Sequence, residues 1–244
     1  MAAFFISDLH LSAERPAITE AFERFLTTTA AGADALYILG DFVDAWIGDD
    51  DDSDFAARLK ETLADYADAG TPVRFMHGNR DFLIGEDFAQ AAHLELLPDP
   101  TVVDLYGKPV LLMHGDSLCT GDLEYMQFRQ QVRSPQWQAG VLAMPLAQRR
   151  QMAAQLRAQS KSMSSMKAED IMDVSPEEVL KVLRQHHVTT LIHGHTHRPN
   201  RHALNLDGTP GERIVLGDWE QQGWYLQATP EATVLVDFEI GGEL

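Results

Sequence analysis

Five short polar clusters carry the residue types that bind metal ions. They are Asp8-Leu9-His10, Gly40-Asp41, Gly78-Asn79-Arg80-Asp81, His114-Gly115-Asp116 and Gly194-His195-Thr196-His197. Asp and Asn offer oxygen, His offers imidazole nitrogen, and no cluster holds a thiolate. That mixture suits borderline-hard divalent ions such as Mn²⁺, Fe²⁺ or Zn²⁺. Asp8, His10, Asp41, Asn79, His114, His195 and His197 are too many for one ion that keeps an open position. Two ions sharing a carboxylate need about this number. Such pairs lie ~3.5–4 Å apart and clamp the attacking and leaving oxygens of a phosphoryl displacement. Singly each cluster is weak, because Asp-x-His and Gly-Asp are common in turns. Ligand types at all five positions together are not expected by accident. His77 and His193, each just before a glycine, read as structural strand-end residues.

Each cluster directly follows a short apolar run, so the elements that position it are strands. Strands are expected at 3–6, 35–39, 73–76, 110–113 and 188–192. Helices are expected from Pro16 to about Ala30, from Phe55 to Ala69 with Gly70 closing it, and from Pro176 to His186. Stretches 213–216, 224–227 and 234–238 read as consecutive strands. The strand–helix alternation argues an α/β sheet sandwich. In open α/β sheets, loops at the carboxyl ends of strands are where ligands bind.

The 244 residues are 45% hydrophobic and 23% charged, which is ordinary for a globular chain and excludes wholesale disorder. A net charge of −18 makes the chain a poor general nucleic-acid binder, and no nucleic-acid partner is expected. Cys119 is the only cysteine, so neither an intrachain disulfide nor a cysteine zinc cluster can form, which fits a reducing compartment. The first residues lack a basic leader, and no apolar stretch reaches the ~18 residues of a spanning helix. Any membrane contact is therefore expected to be peripheral. No obligate protein partner is inferred.

One segment departs from the rest. Residues 125–168 hold no Asp or Glu, while Arg129, Arg133, Arg149, Arg150, Arg157, Lys161 and Lys167 lie there with five methionines. It reads as a mostly helical insertion: either a hairpin packing on its own Met core, or a cap over an anionic, partly apolar ligand. The second is favoured, because chance rarely removes every acid over such a span. The acidic run Asp49–Asp52 with Asp54 reads as a solvated loop entering a helix rather than another metal site.

In this order the clusters resemble the calcineurin-like metallophosphoesterases, over Asp8 to His197. The resemblance implies an α/β two-sheet sandwich with a helical cap insertion. The core would be 1–121 and 169–244, and the cap 122–168. It implies Asp8, His10 and His197 on one ion, Asn79, His114 and His195 on the other, and Asp41 bridging. Stretches 37–41, 45–50, 77–83, 118–120, 171–174 and 192–199 are similar to the UDP-2,3-diacylglucosamine pyrophosphatases of bacterial lipid A synthesis. That family hydrolyses a lipid-linked UDP-sugar to UMP and 2,3-diacylglucosamine 1-phosphate with Mn²⁺, here two ions per chain. The implied location is peripheral, on the cytoplasmic face of the inner membrane. Asn79, Arg80, Asp122, Ser160, Ser164, Lys167 and His195 would touch substrate, and Arg80, Asp41 and His195 would be catalytic. Arg80 stands where many superfamily members have His, and Ser164 where many have a longer amide.

The residues converge on the same reading. An Arg- and Met-rich cap suits a ligand with a pyrophosphate and two acyl chains. It also suits an anionic membrane surface, each nearby cation contributing about 1 kcal/mol. Hydroxide would attack the α-phosphorus in line, with no covalent enzyme intermediate. Arg80 reads as a cation for charge developing on phosphorus, as an ion-pair partner of Asp81, or as both. Asp116 reads as an acceptor that orients a ligand histidine. The rivals are a nucleotide phosphodiesterase or phosphoprotein phosphatase on the same centre, a nuclease, and a non-catalytic scaffold. Scaffolds typically carry damaged metal sites, whereas every expected ligand is present here.

Overall fold

The computed structural model describes residues 2–164 and 173–242, except the side chains of 161–164. The strands nearest the polar clusters form as their apolar runs dictate. β1 (Ala3–Ile6), β2 (Ala35–Leu39) and β3 (Val73–Met76) pair in parallel, each a near-continuous apolar run because both faces are covered. β4 (Leu94–Leu97) extends this parallel set beyond β3. On the other edge, β10 (Gln222–Ala228) lies antiparallel to β1, and β11 (Thr233–Glu239) lies antiparallel to β10. The six-stranded order is β11-β10-β1-β2-β3-β4.

The second sheet has five strands, in the order β5-β6-β7-β9-β8. They are β5 (Thr101–Leu105), β6 (Lys108–Leu112), β7 (Thr190–His193), β8 (Asn200–Leu206) and β9 (Thr209–Val215). The C-terminal strands expected as one run are therefore divided: β9 joins β7 in this sheet, and β10 and β11 return to the first.

Alternation along each strand builds three cores. Ala3 and Phe5 of β1, Tyr37 and Leu39 of β2 and Met76 of β3 face Leu112, Ile192 and Ile214 of the opposite sheet. Phe4 and Ile6 point the other way, onto Phe22 and Phe25 of α1 (Pro16–Thr27) and Leu59 and Leu63 of α2 (Asp54–Asp68). Leu111 and Leu191 pack on Val179 and Leu183 of α7 (Pro176–Gln185). Those buried to below 2% exposure, such as Phe5, Leu39, Phe22 and Leu59, each contribute roughly 1.5–3 kcal/mol. Ser53 caps α2 by accepting from Ala56 N, so that helix starts one residue before the expected position. A short helix, α3 (Glu86–Ala91), precedes β4.

Between β6 and α7 stand α4 (Leu123–Val132), α5 (Pro135–Leu142) and α6 (Leu146–Ser164). Their arginines do not wait for a ligand. Arg149, only 3% exposed, donates to Ile47 O (2.6 Å), Met144 O (2.9 Å) and the Asp50 carboxylate (2.5 and 2.7 Å). Arg150 pairs with Asp51 and Asp52, and Arg157 with Asp44. Asp49 accepts from Trp46 Nε1, Gly85 N and Phe88 N. The run does enter a helix at Asp54 with Asp50 and Asp52 exposed, as expected, but it is also a seat for α6 and an anchor for α3. The reason is complementarity: an acid-free helix finds its counter-charges on an acid-rich core loop. Among the described residues no helix is long and apolar enough to cross a membrane.

Candidate metal centre

The loops leaving β1, β2, β3, β6 and β7 converge at one end of the sandwich, and all seven candidate ligands meet there. His197 Nε2 lies 3.4 Å from Asp8 Oδ1 and 3.3 Å from His10 Nε2. His114 Nε2 and His195 Nδ1 both reach Asn79 Oδ1, at 3.0 and 2.8 Å. Asp41 stands between these groups, with Oδ2 3.9 Å from His10 Nε2 and Oδ1 3.7 Å from His114 Nε2. Two sets of ligand atoms lie within 4.8 Å of one another: Asp8, His10 and His197, and Asp8, Asp41 and His114. Asp8, Asp41 and His114 are buried, whereas His197 is 39% exposed, so the centre opens to solvent on the His197 side.

The backbone is bent to make this convergence. Asp8, His10, Asp41, His195 and His197 all have positive φ, between 48° and 68°. A left-handed residue other than glycine costs of order 1–3 kcal/mol and persists only where the surroundings enforce it. The enforcement is visible. Asp8 N donates to Gly40 O and His10 N to Asp41 O, which ties the first two loops together. Gly78 packs so closely that a Cβ would overlap the backbone nitrogen and Oδ1 of Asp41.

The donor set fits a cation. Asp8 Oδ2 accepts from Ser7 Oγ (2.6 Å) and His195 N (2.8 Å), but Oδ1 is buried, has no hydrogen-bond partner among the described residues and faces the imidazoles. His114 Nδ1 is engaged by Leu39 O at 2.8 Å, which directs Nε2 inward. Burial alone would lower the His114 and His197 pKa values, but the surrounding carboxylates outweigh it and raise both to about 9. Burial, reinforced by the charge on His114, lowers His195 to about 3. Burial raises Asp41 above the ordinary carboxylate range.

Several neighbours act differently from the sequence expectation. Asp81 does not pair with Arg80; its oxygens accept from Phe42 N and Gly78 N, both at 2.7 Å. It is a buried clamp between the second and third loops, and burial beside Asp41 raises its pKa to about 7. Asp116 does not orient a histidine by hydrogen bonding. It accepts from Tyr125 Oη and Arg129 Nε, both at 2.7 Å, and so fastens α4 to the core. His77 and His193 bond Ile84 O and Gly194 O, in keeping with structural roles. Residue type and spacing do not mark Asp81, Tyr125 and Arg133 as site residues: Asp81 and Arg133 are defined by the backbone groups they hold, and Tyr125 by its bond to the Asp116 carboxylate.

Asn79, Arg80, Asp122 and Ser160 line a cavity of about 350 Å³ beside the centre, a volume usual for ligand pockets. Its far wall includes Trp46, Phe82, Trp137, Val141, Met152 and Leu156. Arg80 Nη2 lies 3.3 Å from Ser160 Oγ, and Asp122 also caps α4 by accepting from Tyr125 N. The Ser164 side chain and Lys167 lie outside the described residues.

The sequence profile of the calcineurin-like phosphoesterases matches residues 1–199. The UDP-2,3-diacylglucosamine hydrolase of Cellvibrio japonicus (strain Ueda107) is 56% identical over 240 residues, 98% of this chain and 100% of that protein. The protein of the same name from Pseudomonas aeruginosa (strain UCBPP-PA14) is 57% identical over 227 residues, 93% of this chain and 95% of that one. Among solved structures, a novel archaeal phosphodiesterase aligns with a TM-score of 0.49 at 14% identity, over 98% of this chain and 100% of its own. The chain belongs to the calcineurin-like phosphoesterase family.

Proposed function

We infer that this chain hydrolyses the pyrophosphate of UDP-2,3-diacylglucosamine at the α-phosphorus, giving UMP and 2,3-diacylglucosamine 1-phosphate. The observation that carries the reading is an apolar cavity that shares Asn79 with the candidate ligands and is lined by Arg80 beside it. The end-to-end similarity to proteins named for that substrate supports it.

Asp8, His10 and His197 would hold one Mn²⁺, and Asn79, His114 and His195 a second, with Asp41 between them. Bound there, the ions supply an activated water and offset charge on the transferring phosphoryl group. The chain's own residues do the rest. Arg80, half-buried at the junction of centre and cavity, places a fixed cation beside the reacting phosphorus. Asp122, Ser160, Ser164 and Lys167 orient the sugar phosphate, and the apolar wall takes the acyl chains and excludes water. Residues 122–168 form the cap, and 1–121 with 169–244 the hydrolytic core. With a diacyl substrate, the protein would work peripherally on the cytoplasmic face of the inner membrane. Exposed Leu123, Phe128 and Leu142 on the cap support this contact.

The test is to incubate metal-stripped protein, with and without Mn²⁺, with UDP-2,3-diacylglucosamine and with UDP-N-acetylglucosamine. Mn²⁺-dependent release of UMP from the acylated substrate alone is expected. Equal cleavage of both would overturn the lipid specificity, and cleavage of neither by metal-loaded protein would overturn the substrate.

Metal binding should also release protons. With His114 and His197 both raised to about 9, the metal-free chain carries a proton at each near pH 7.5. Metal ligation requires the neutral imidazole. Calorimetric titration with Mn²⁺ in buffers of different ionisation enthalpy should therefore report about two protons released, or more. Apparent affinity should fall as pH drops below about 9, because protons compete for the same nitrogens. Release of less than one proton at pH 7.5 would contradict this assignment.

A further inference from the structure

We propose that Arg133, at the end of α4, is a positioning residue for Asn79: it holds the Gly78 carbonyl and so sets the plane of the Gly78–Asn79 peptide. The inference rests on reading Asn79 as a metal ligand.

Arg133 Nη2 donates to Gly78 O at 2.7 Å. Because the peptide unit is planar, fixing that carbonyl also fixes the Asn79 N–H and the position of the Asn79 Cα from which its side chain departs. Gly78 is the residue whose backbone would otherwise rotate most freely. It is held on three sides: N–H by Asp81 Oδ1, C=O by Arg133, and Cα by the close approach of Asp41. Asn79 then presents one oxygen to both His114 and His195.

Arg133 is itself well placed for this task. Its guanidinium lies over the Phe82 ring at 5.3 Å, and Nη2 is 3.9 Å from Asp116 Oδ2. A planar fork set by a ring on one side and a carboxylate on the other loses little freedom on bonding a carbonyl. It is also the C-cap residue of α4, where a cation is favoured by the helix dipole. The insertion thereby holds the loop after β3 as well as lining the cavity.

A simple tether between insertion and core would affect stability and substrate binding but not affinity for the bare ion. The readout is therefore Mn²⁺ binding to the full chain without substrate, followed by electron paramagnetic resonance. Arg133→Met should weaken Mn²⁺ binding about 10–100-fold, the usual effect of losing a residue that orients a ligand. Saturating Mn²⁺ should restore turnover in that variant with little change in KM. Arg133→Gln, a milder replacement too short to span the gap, should show the same loss and carries the test if the Met variant does not fold. Arg150→Met, which removes another insertion–core ion pair away from the ligands, should bind Mn²⁺ like the parent. Parental affinity in both Arg133 variants, or an equal loss in Arg150→Met, overturns the proposal. A parent protein that binds no Mn²⁺ overturns the ligand reading with it. A parent that binds Mn²⁺ but leaves the lipid-linked UDP-sugar intact overturns only the substrate reading.

Discussion

Asp41→Asn will leave the fold intact but cost the centre at least one metal ion, with turnover falling by about 10³-fold or more. Asp41 is 2% exposed and lies between the two groups of candidate ligands, 3.7 Å from His114 and 3.9 Å from His10. Its Oδ1 also accepts from Arg80 N at 2.8 Å. Asparagine has the same shape, can still accept that hydrogen bond through its amide oxygen, and tolerates the left-handed backbone at φ 52°. The substitution therefore isolates the charge. Two divalent ions brought together without the carboxylate between them repel one another, and at least one should be lost. The several kcal/mol that a metal contributes to charge stabilisation correspond to about 10³-fold at 1.36 kcal/mol per factor of ten. Metal content per chain, melting temperature and UMP release measured on one preparation check this. A variant retaining two ions and parental turnover would show that Asp41 does not bridge.

Arg80→Ala separates chemistry from metal binding. Arg80 contributes to the centre through its backbone, by the N–H bonded to Asp41, and that bond survives truncation of the side chain. The guanidinium points into the cavity toward Ser160, with Nε buried and without a hydrogen-bond partner among the described residues. Burial lowers its pKa below the ordinary arginine value and the nearby Asp41 charge counters this; the guanidinium stays cationic. A preorganised donor of this kind aimed at developing charge contributes about 10²–10³-fold to kcat. That loss is expected with two ions still bound and the melting temperature close to parental. Loss of metal in Arg80→Ala would instead make it a support for the ligand loop.

The elements that carry the ligands were largely legible in sequence. β1, β2 and β3 occupy the residues expected, because a strand buried on both faces is a bounded apolar run with one reading. The same rule fails for β8, Asn-Arg-His-Ala-Leu-Asn-Leu, an edge strand whose polar side chains face water. It also fails for α3, whose six residues are too few to show a helical period. At the site, residue type and position after a strand picked out all seven candidate ligands. Polar residues whose partners lie far along the chain were less legible. Nothing near Asp50 in sequence announces Arg149, and nothing near Asp116 separates an acceptor for Arg129 from one for a histidine. The five left-handed backbones were equally hidden, since no glycine marks them; they follow from loops being pulled together from both sheets.

That pulling together orders the protein's assembly in time. His10 and His197 are neighbours although 187 positions apart in sequence, as are Asp8 and His195. One ligand set draws on loops after β1 and β7, and so on strands of different sheets. A chain emerging from synthesis reaches its first ligands within ten residues and its last only after most of its length is made. Contacts so distant in sequence close slowly and late. Neither sheet alone can present a complete set, so a half-folded chain offers at most scattered, weak grips on an ion. Tight metal capture is in this sense a report that both sheets have docked, and opening either one releases what the other holds.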